Sequence, residues 1–380
     1  MVTIGISGSY GGLNLGDEAI LACAIESLRR EIPDTKIVVF SRNARHTEAN
    51  HAADRVVPVR EMTRAEVAAE LRRLDLFLLG GGGILYDREA QTYLRELQVA
   101  QELDVPTWTF AISAGPLETP EARRSVAAAL TKADGITVRE GLAKRLLEEI
   151  GVKPEIQVTA DPALLLTPEP FTDEMLEKEG IHSERHLVGV SVREPGPAAP
   201  DLGQLRYHAL IANAADFIAD RLDADLLFVP MERGDIRHSH AVIAEMANPE
   251  RAFVLRGDYG PRQILGLMAH LDMAVGMRLH FLMFAALARI PFVALPYAGK
   301  VAGFLQDLGL PARVLQEQHA GPLLALIDRS WDHRASLREA LDQNMPKLQE
   351  RARETARTIA QFLQTLADEE SGAVAPATVG

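Results

Sequence analysis

Two hydrophobic patterns alternate along the first part of the chain. Short runs rich in β-branched and other apolar residues occupy Val2–Ser7, Lys36–Phe40, Arg55–Val59, Asp75–Leu79, Pro106–Ile112, Gly135–Val138 and Ile156–Thr159. Between them, apolar positions recur every three or four residues in Asp17–Glu31, Arg64–Arg73, Glu89–Leu103, Pro120–Lys132 and Glu140–Ile150. The first pattern predicts strands and the second amphipathic helices. Their alternation predicts a parallel sheet covered on both faces. Unbroken apolar runs such as Leu76–Leu79 suit strands buried on both sides.

The stretch "LTPEPFTDEMLEKEGIHSER", Leu166–Arg185, breaks this rhythm with proline and charge and is read as a domain boundary. A second series follows. Its strands are expected at His186–Val192, Asp225–Val229, Ala252–Leu255, Asp272–Val275 and Pro291–Ala294. Its helices are expected near Gln204–Arg221, Asp235–Ala247, Pro261–His270, Arg278–Ala288 and Val301–Leu308. The expected fold is α/β, with two doubly wound domains at 1–166 and 186–333. A long amphipathic helix at 334–366 is expected to pack across both, and 367–380 to form a disordered tail.

Composition narrows the function. A content of 47% hydrophobic and 24% charged residues fits a globular protein. The net charge of −13 argues against a nucleic-acid partner, although a local basic pocket for a small anion is compatible with it. A single cysteine, Cys23, forms neither an intramolecular disulfide nor a cysteine-based zinc cluster. The start "MVTIGISGSYGG" lacks a signal-peptide pattern, and the longest apolar run, Phe281–Ala288, is shorter than the ~20 residues that span a bilayer. The expectation is a cytoplasmic protein without a transmembrane segment, with contact at a membrane surface left open.

In doubly wound sheets, ligands bind beyond the carboxyl ends of the strands. With two such domains facing each other, the cleft between them is the default site. The first strand runs into "GSYGGLNLGDEAIL", where Gly8, Gly11, Gly12 and Gly16 let backbone approach a ligand ahead of a helix. Asn14 and Asp17 are candidate ligand contacts as well as caps, and Glu18 suits the helix's first turn. Neither the dinucleotide fingerprint nor a P-loop is present, which disfavours a dehydrogenase. "LLGGGGILYD" suggests that Gly81, Gly82 and Gly83 lie against a ligand or the other domain, while Asp87 is a candidate cap. Arg139 in "TVREG" and Arg193 in "VSVREPG" each follow a strand and are candidate cleft residues. In "GMRLHFLMFAALARIPFVALPYAGK", Arg278 and His280 open an otherwise apolar helix, and Lys300 stands after the next strand. Two patterns are set aside. Asp223 and Asp225 precede a strand and read as a turn, and His238 and His240, two residues apart, read as solvated.

"GGLNLGDEAIL", "GGGGILYD", "TVRE", "ADPALLL", "VSVRE" and "MRLHFLMFAALARIPFVALPYAGKVAGF", taken in this order over about residues 3 to 310, resemble the bacterial polysaccharide pyruvyl transferases. The likeness is greatest to the cell-wall-polymer (CsaB-like) branch. That resemblance implies two Rossmann-like domains of the glycosyltransferase-B type. It also implies transfer of a pyruvyl group from phosphoenolpyruvate to a sugar or lipid-linked saccharide, forming a cyclic ketal during cell-wall or polysaccharide biogenesis. It places donor-site residues on Arg139, His280 and Lys300, with Arg278 beside them, and turns Gly11–Glu18 toward the acceptor. One departure is Ala298-Gly299 before Lys300, where many members carry Asp-Pro.

The chemistry suits these residue types. Arginine's fork binds carboxylate or phosphate bidentately, and lysine binds phosphate as a point charge. A histidine is suited to carry the proton that the donor's enol phosphate must accept. No metal or other cofactor is required by such a mechanism. Two rivals remain. One is a nucleotide-sugar glycosyltransferase of the same architecture, with Glu232 or Asp235 in "PMERGDI" gripping a ribose; the other is a non-catalytic sugar-binding protein.

Overall fold

A computed structural model describes all residues except 88, 183, 195–202, 296–298, 311–319 and 373–380. Ala298, in the departure noted before Lys300, and the last part of the expected tail therefore lie outside the described residues. The chain divides into two compact units. The first comprises Met1–Gly12, Ile20–Pro162 and the chain from Glu350 on, and the second comprises Leu13–Ala19 and Ala163–Gln349.

The first unit is built on a seven-stranded parallel sheet. Its strands are β1 (Thr3–Ser7), β2 (Lys36–Ser41), β3 (Arg55–Pro58), β4 (Leu76–Leu85), β5 (Thr107–Ala114), β6 (Gly135–Val138) and β7 (Ile156–Val158). They lie in the order 3-2-1-4-5-6-7. The intervening helices are α1 (Leu15–Glu31), α2 (Ala44–Asn50), α3 (Arg64–Leu71), α4 (Ala90–Glu102), α5 (Pro120–Leu130) and α6 (Gly141–Glu149). Their starts follow capping rules. Thr63 and Glu66 close a capping box on α3, and Thr119 caps α5 with Pro120 in its first turn. Phe40, Phe77 and Phe110 are fully buried in this unit. At ~1.5–3 kcal/mol for each buried apolar side chain, such residues supply much of its stability.

The second unit carries a five-stranded parallel sheet. After α7 (Asp173–Lys178) come β8 (His186–Ser191), α8 (Gln204–Arg221), β9 (Ala224–Phe228), α9 (Arg233–Ile243), β10 (Ala252–Val254), α10 (Pro261–Leu267), β11 (Met273–Gly276), α11 (Leu279–Leu287), β12 (Phe292–Ala294) and α12 (Gly299–Asp307). The strand order is 10-9-8-11-12. Helix α11 is apolar on nearly every side because nearly every side is covered. Phe281 and Phe284 are fully buried, and Phe281 packs where Gly189 of β8 and Gly276 of β11 leave room. Two further helices follow, α13 (Ala320–Asp332) and α14 (Arg334–Gly372). Helix α14 runs on past the expected end at Leu366. Up to Gln349 its residues count with the second unit and from Glu350 with the first. No helix among the described residues is long and apolar enough to cross a membrane.

The chain passes from the first unit to the second between Pro162 and Ala163, near the expected domain end at 166, and the described residues that follow, up to Gln349, count with the second unit. Phe171 stacks edge-on with Tyr259, and buried Glu179 accepts hydrogen bonds from the amides of Arg256 and Gly257 and from the Tyr259 hydroxyl. Two other expectations need correction. The strand expected to stop at Leu79 continues through the four glycines, so that β4 reaches Leu85. A strand pairs through backbone alone, and Gly82 and Gly83 stand opposite Ile112 and Ser113. Finally, His238 and His240 are not both solvated. His240 is exposed, but His238 is buried with Nδ1 3.1 Å from Nε2 of buried His208. Residues two apart on a helix face different ways, so one of the pair had to turn inward.

Burial holds both His208 and His238 below the ordinary imidazole value of 6.5. His238 and Arg237 add to this at His208, where Glu245 opposes it. At His238, Arg237 and Arg278 act with burial, against Glu194 and Asp235. The unfolded chain therefore binds these protons first as pH falls. Stability is expected to be full above about 6.5 and to decline below it until the folded-state values are passed. Urea midpoints measured from pH 8 to 5 should show that decline, and a His208→Gln/His238→Gln variant should flatten it. An equal slope in the variant would remove the pair as its source.

Candidate active site

The strand order reverses between β1 and β4 in the first sheet and between β8 and β11 in the second. Such switch points leave a crevice at the carboxyl ends of the strands. The candidate residues fall at these ends in each unit.

In the first unit, the loop after β1 folds onto the end of β2. Gly11 has φ 73°, and a Cβ there would meet the Ser41 hydroxyl at 2.5 Å and the Asn43 nitrogen at 2.7 Å. A Cβ on Gly12 would strike the Arg42 guanidinium. Gly80 and Gly81 accept Tyr10 and Ile20 in the same way, since a Cβ at either position would overlap those side chains. The close approaches seen at these glycines are thus internal packing, while Gly83 is exposed. Asp87 receives the amides of Glu118 and Thr119 and the Thr119 hydroxyl, pinning the loop before α5.

Arg139 follows β6 and is buried in an ion network. Its Nη1 donates to Asp161 at 2.5 Å and its Nε to Glu140 at 3.0 Å; Glu140 also accepts from the Ser113 hydroxyl. Burial alone would lower the guanidinium's pKa, but Asp161 and Glu140 outweigh it and hold it above its ordinary value. Ser113 stands just beyond an irregular stretch of β5. There Thr109 and Thr137 exchange hydrogen bonds, and the amide of Ala111, at φ 48°, donates to the Thr137 hydroxyl. The threonine hydroxyls and the Ala111 amide in this bulge are thereby all satisfied.

In the second unit, the ends of β8, β9 and β11 bring together residues that are far apart in sequence. Arg193 pairs with Glu194, its neighbour. Arg278, the residue before α11, holds Asp235 through two bonds, Nε to Oδ2 at 3.0 Å and Nη2 to Oδ1 at 2.5 Å, and also pairs with Glu232. Burial opposes charge on Arg278, yet the two carboxylates push its pKa well above the ordinary arginine value. Burial would raise the pKa of Glu232, but Arg278 and Asn14 outweigh it and hold the carboxyl below its usual range.

Asn14 has two roles in this unit. Its Oδ1 accepts from the amides of Gly16 at 3.0 Å and Asp17 at 3.4 Å, which caps α1. Its Nδ2 donates to Glu232 at 2.9 Å. The amide of Leu15 adds a bond to the Met231 carbonyl at 2.9 Å. Glu18 is buried and Asp17 half-buried in the same turn. His280 lies against this turn, its ring at the α-carbon of Gly16. Lys300, half-buried, opens α12 after β12, the strand beside β11.

Arg193, Arg278, His280, Lys300, Asn14, Asp17 and Glu18 thus belong to the second unit; Arg139, Gly11, Gly12 and Gly81 to Gly83 belong to the first. Sequence reasoning named Glu232 and Asp235 only as possible ribose ligands, and missed Glu194 and the pairing of all three with arginines. Glu194, Glu232 and Asp235 bring carboxylate oxygens within 4.8 Å of one another, a grouping that could hold a cation. Two arginines already supply that charge: Arg193 to Glu194, and Arg278 to the other two. Asp223 and Asp225, set aside as a turn, pair with Arg251 at the amino end of β9.

The family model described as polysaccharide pyruvyl transferase matches residues 14–299, more than half of the chain. No curated protein matches the sequence. Among solved structures, the chain is similar to UDP-GlcNAc 2-epimerase from Neisseria meningitidis bound to UDP-GlcNAc, at 10% identity and TM-score 0.61, covering 95% of this chain and 100% of that one. It is similar to the MnaA–UDP complex of S. aureus, at 12% identity and TM-score 0.66, covering 96% and 97%. A glycosyltransferase from Rickettsia africae gives 11% identity and TM-score 0.63, covering 96% and 98%. At these identities the likeness is one of fold, two Rossmann-like domains of the glycosyltransferase-B type.

Proposed function

The chain belongs to the polysaccharide pyruvyl transferase family, hence to the transferases, and from that premise we propose that phosphoenolpyruvate is its donor and a sugar hydroxyl pair its acceptor. The acceptor sugar is free or lipid-linked and belongs to a cell-wall or extracellular polysaccharide precursor in the cytoplasm. The observation that carries the reading is the carboxyl edge of the second sheet, where His280 opens α11 beside Arg278 and Lys300 opens α12 one strand over.

In the proposed reaction His280 donates a proton to C3 of the donor, which becomes a methyl group while positive charge develops at C2. One sugar hydroxyl adds to C2 and passes its proton to the imidazole, which restores it. The second hydroxyl displaces phosphate from C2 and closes the ketal, and its proton leaves with the phosphate. Lys300 attracts the phosphate as a point charge. Arg278, oriented by Asp235 and Glu232, supplies a fixed positive charge toward the leaving dianion. Arg193 is oriented by Glu194 in the same way. No metal takes part in the proposed step.

A nucleotide-sugar transferase would need a carboxylate for the ribose. Glu232 and Asp235, the candidates for that task, are engaged by Arg278. The test is phosphate release from phosphoenolpyruvate across a panel of sugar acceptors in excess EDTA, with the product identified by mass as a pyruvyl ketal. Acceptor-dependent phosphate release is expected. Release of a nucleoside diphosphate from a nucleotide sugar would decide for the rival enzyme, loss of activity with EDTA would refute the metal-free step, and binding without turnover would make the protein a sugar-binding one.

A further inference from the structure

Gly16 is the second residue of α1, and its backbone does not require glycine, because its φ lies outside the left-handed region. Alanine in the first turn of a helix ordinarily adds stability. Here the space for a side chain is taken. A Cβ on Gly16 would overlap Nδ1 and Cγ of His280 and stand 2.6 Å from its Cε1. No real pair of atoms tolerates such an approach, so the imidazole or the turn would have to move.

Both partners in this contact are tied to the same carboxylate. Asn14 caps the turn through the Gly16 amide and donates to Glu232. Glu232 pairs with Arg278, which begins the helix that carries His280. The contacts therefore close a circuit from Gly16 through Asn14, Glu232 and Arg278 to His280 and back to Gly16. We propose that Gly16 is a positioning residue: its missing side chain lets the His280 ring rest on the first turn of α1, which fixes the direction of proton delivery. This rests on the proton-transfer role given to His280 above.

A double-mutant cycle tests it, using the full chain as wild type, Gly16→Ala, His280→Ala and the double variant. Urea midpoints are measured for all four, and kcat and KM for phosphoenolpyruvate for the two that retain His280. Gly16→Ala should lower the midpoint when His280 is present, and leave it unchanged or raised in the His280→Ala background. It should also lower kcat by about 10–100-fold, the usual cost of a misplaced catalytic group, with KM within about twofold of wild type as expected for a group acting in the transition state. Failure of Gly16→Ala to fold with His280, together with folding of the double variant, is the same coupling at its limit. Equal midpoint shifts in both backgrounds, failure to fold in both, or unchanged kcat overturns the proposal. An inactive wild type overturns the transfer reading itself and with it the positioning role, and is told apart from failure of the contact by the midpoints alone.

Discussion

His280→Ala is expected to lower turnover with phosphoenolpyruvate by ~10²-fold or more, the usual contribution of a general acid or base. The donor's enol phosphate cannot be attacked at C2 until C3 takes a proton, so loss of the proton carrier falls on kcat. Binding should suffer less, since the charge assigned to holding the donor resides on Lys300 and the arginines. The fold should tolerate the change. The first turn of α1 keeps its cap from Asn14, and the next aromatic of α11, Phe281, remains fully buried. Steady-state kinetics give the split, and His280→Gln serves as a variant of similar size without the titrating group. Near-wild-type turnover in either variant would take His280 out of the reaction.

The alternation of strands and helices was legible because it rests on local periodicity. The switch points were not stated by any single stretch, yet they follow once two parallel sheets are granted. What escaped was everything that depends on pairing at long range. Arg278 meets Asp235 and Glu232 more than forty positions away in the chain, and no local pattern announces that contact. A nearer signal existed in the repeated Arg-Glu doublet, Arg139-Glu140 and Arg193-Glu194, each of which forms an ion pair. Adjacent residues of an extended chain point to opposite faces, but beyond the strand end that rule lapses and neighbours can pair. The glycines of β4 misled about where that strand ends, for a different reason. Glycine is costly in a strand, so four in a row read as chain beyond the strand's end. The structure accounts for Gly80 and Gly81 through the bulk of Tyr10 and Ile20. The capping power of Asn14 was legible from residue type, whereas its second bond, to Glu232, was not.

Arg139 poses the remaining choice, and stability and activity can be separated there. Its side chain is 2% exposed and that of Asp161 is 1% exposed. Removing one member of so buried a pair leaves the other charge without compensation, at about 3–5 kcal/mol. Arg139→Ala should therefore be strongly destabilised, visible as a large fall in the urea midpoint, and its lost activity would by itself say nothing about donor binding. Arg139→Met/Glu140→Gln/Asp161→Asn removes all three charges of the network while keeping approximate volume, and much of the midpoint should return, since replacing buried ion pairs by neutral groups is often close to neutral. If Arg139 also stabilises charge in the reaction, turnover of this refolded variant should remain ~10²–10³-fold below wild type, the usual cost of losing one preorganised donor. That is the result expected from the family resemblance, which assigns Arg139 to the donor; Asp161 and Glu140 hold its guanidinium in one place. Recovery of turnover along with stability would instead confine Arg139 to holding together the ends of β5, β6 and β7.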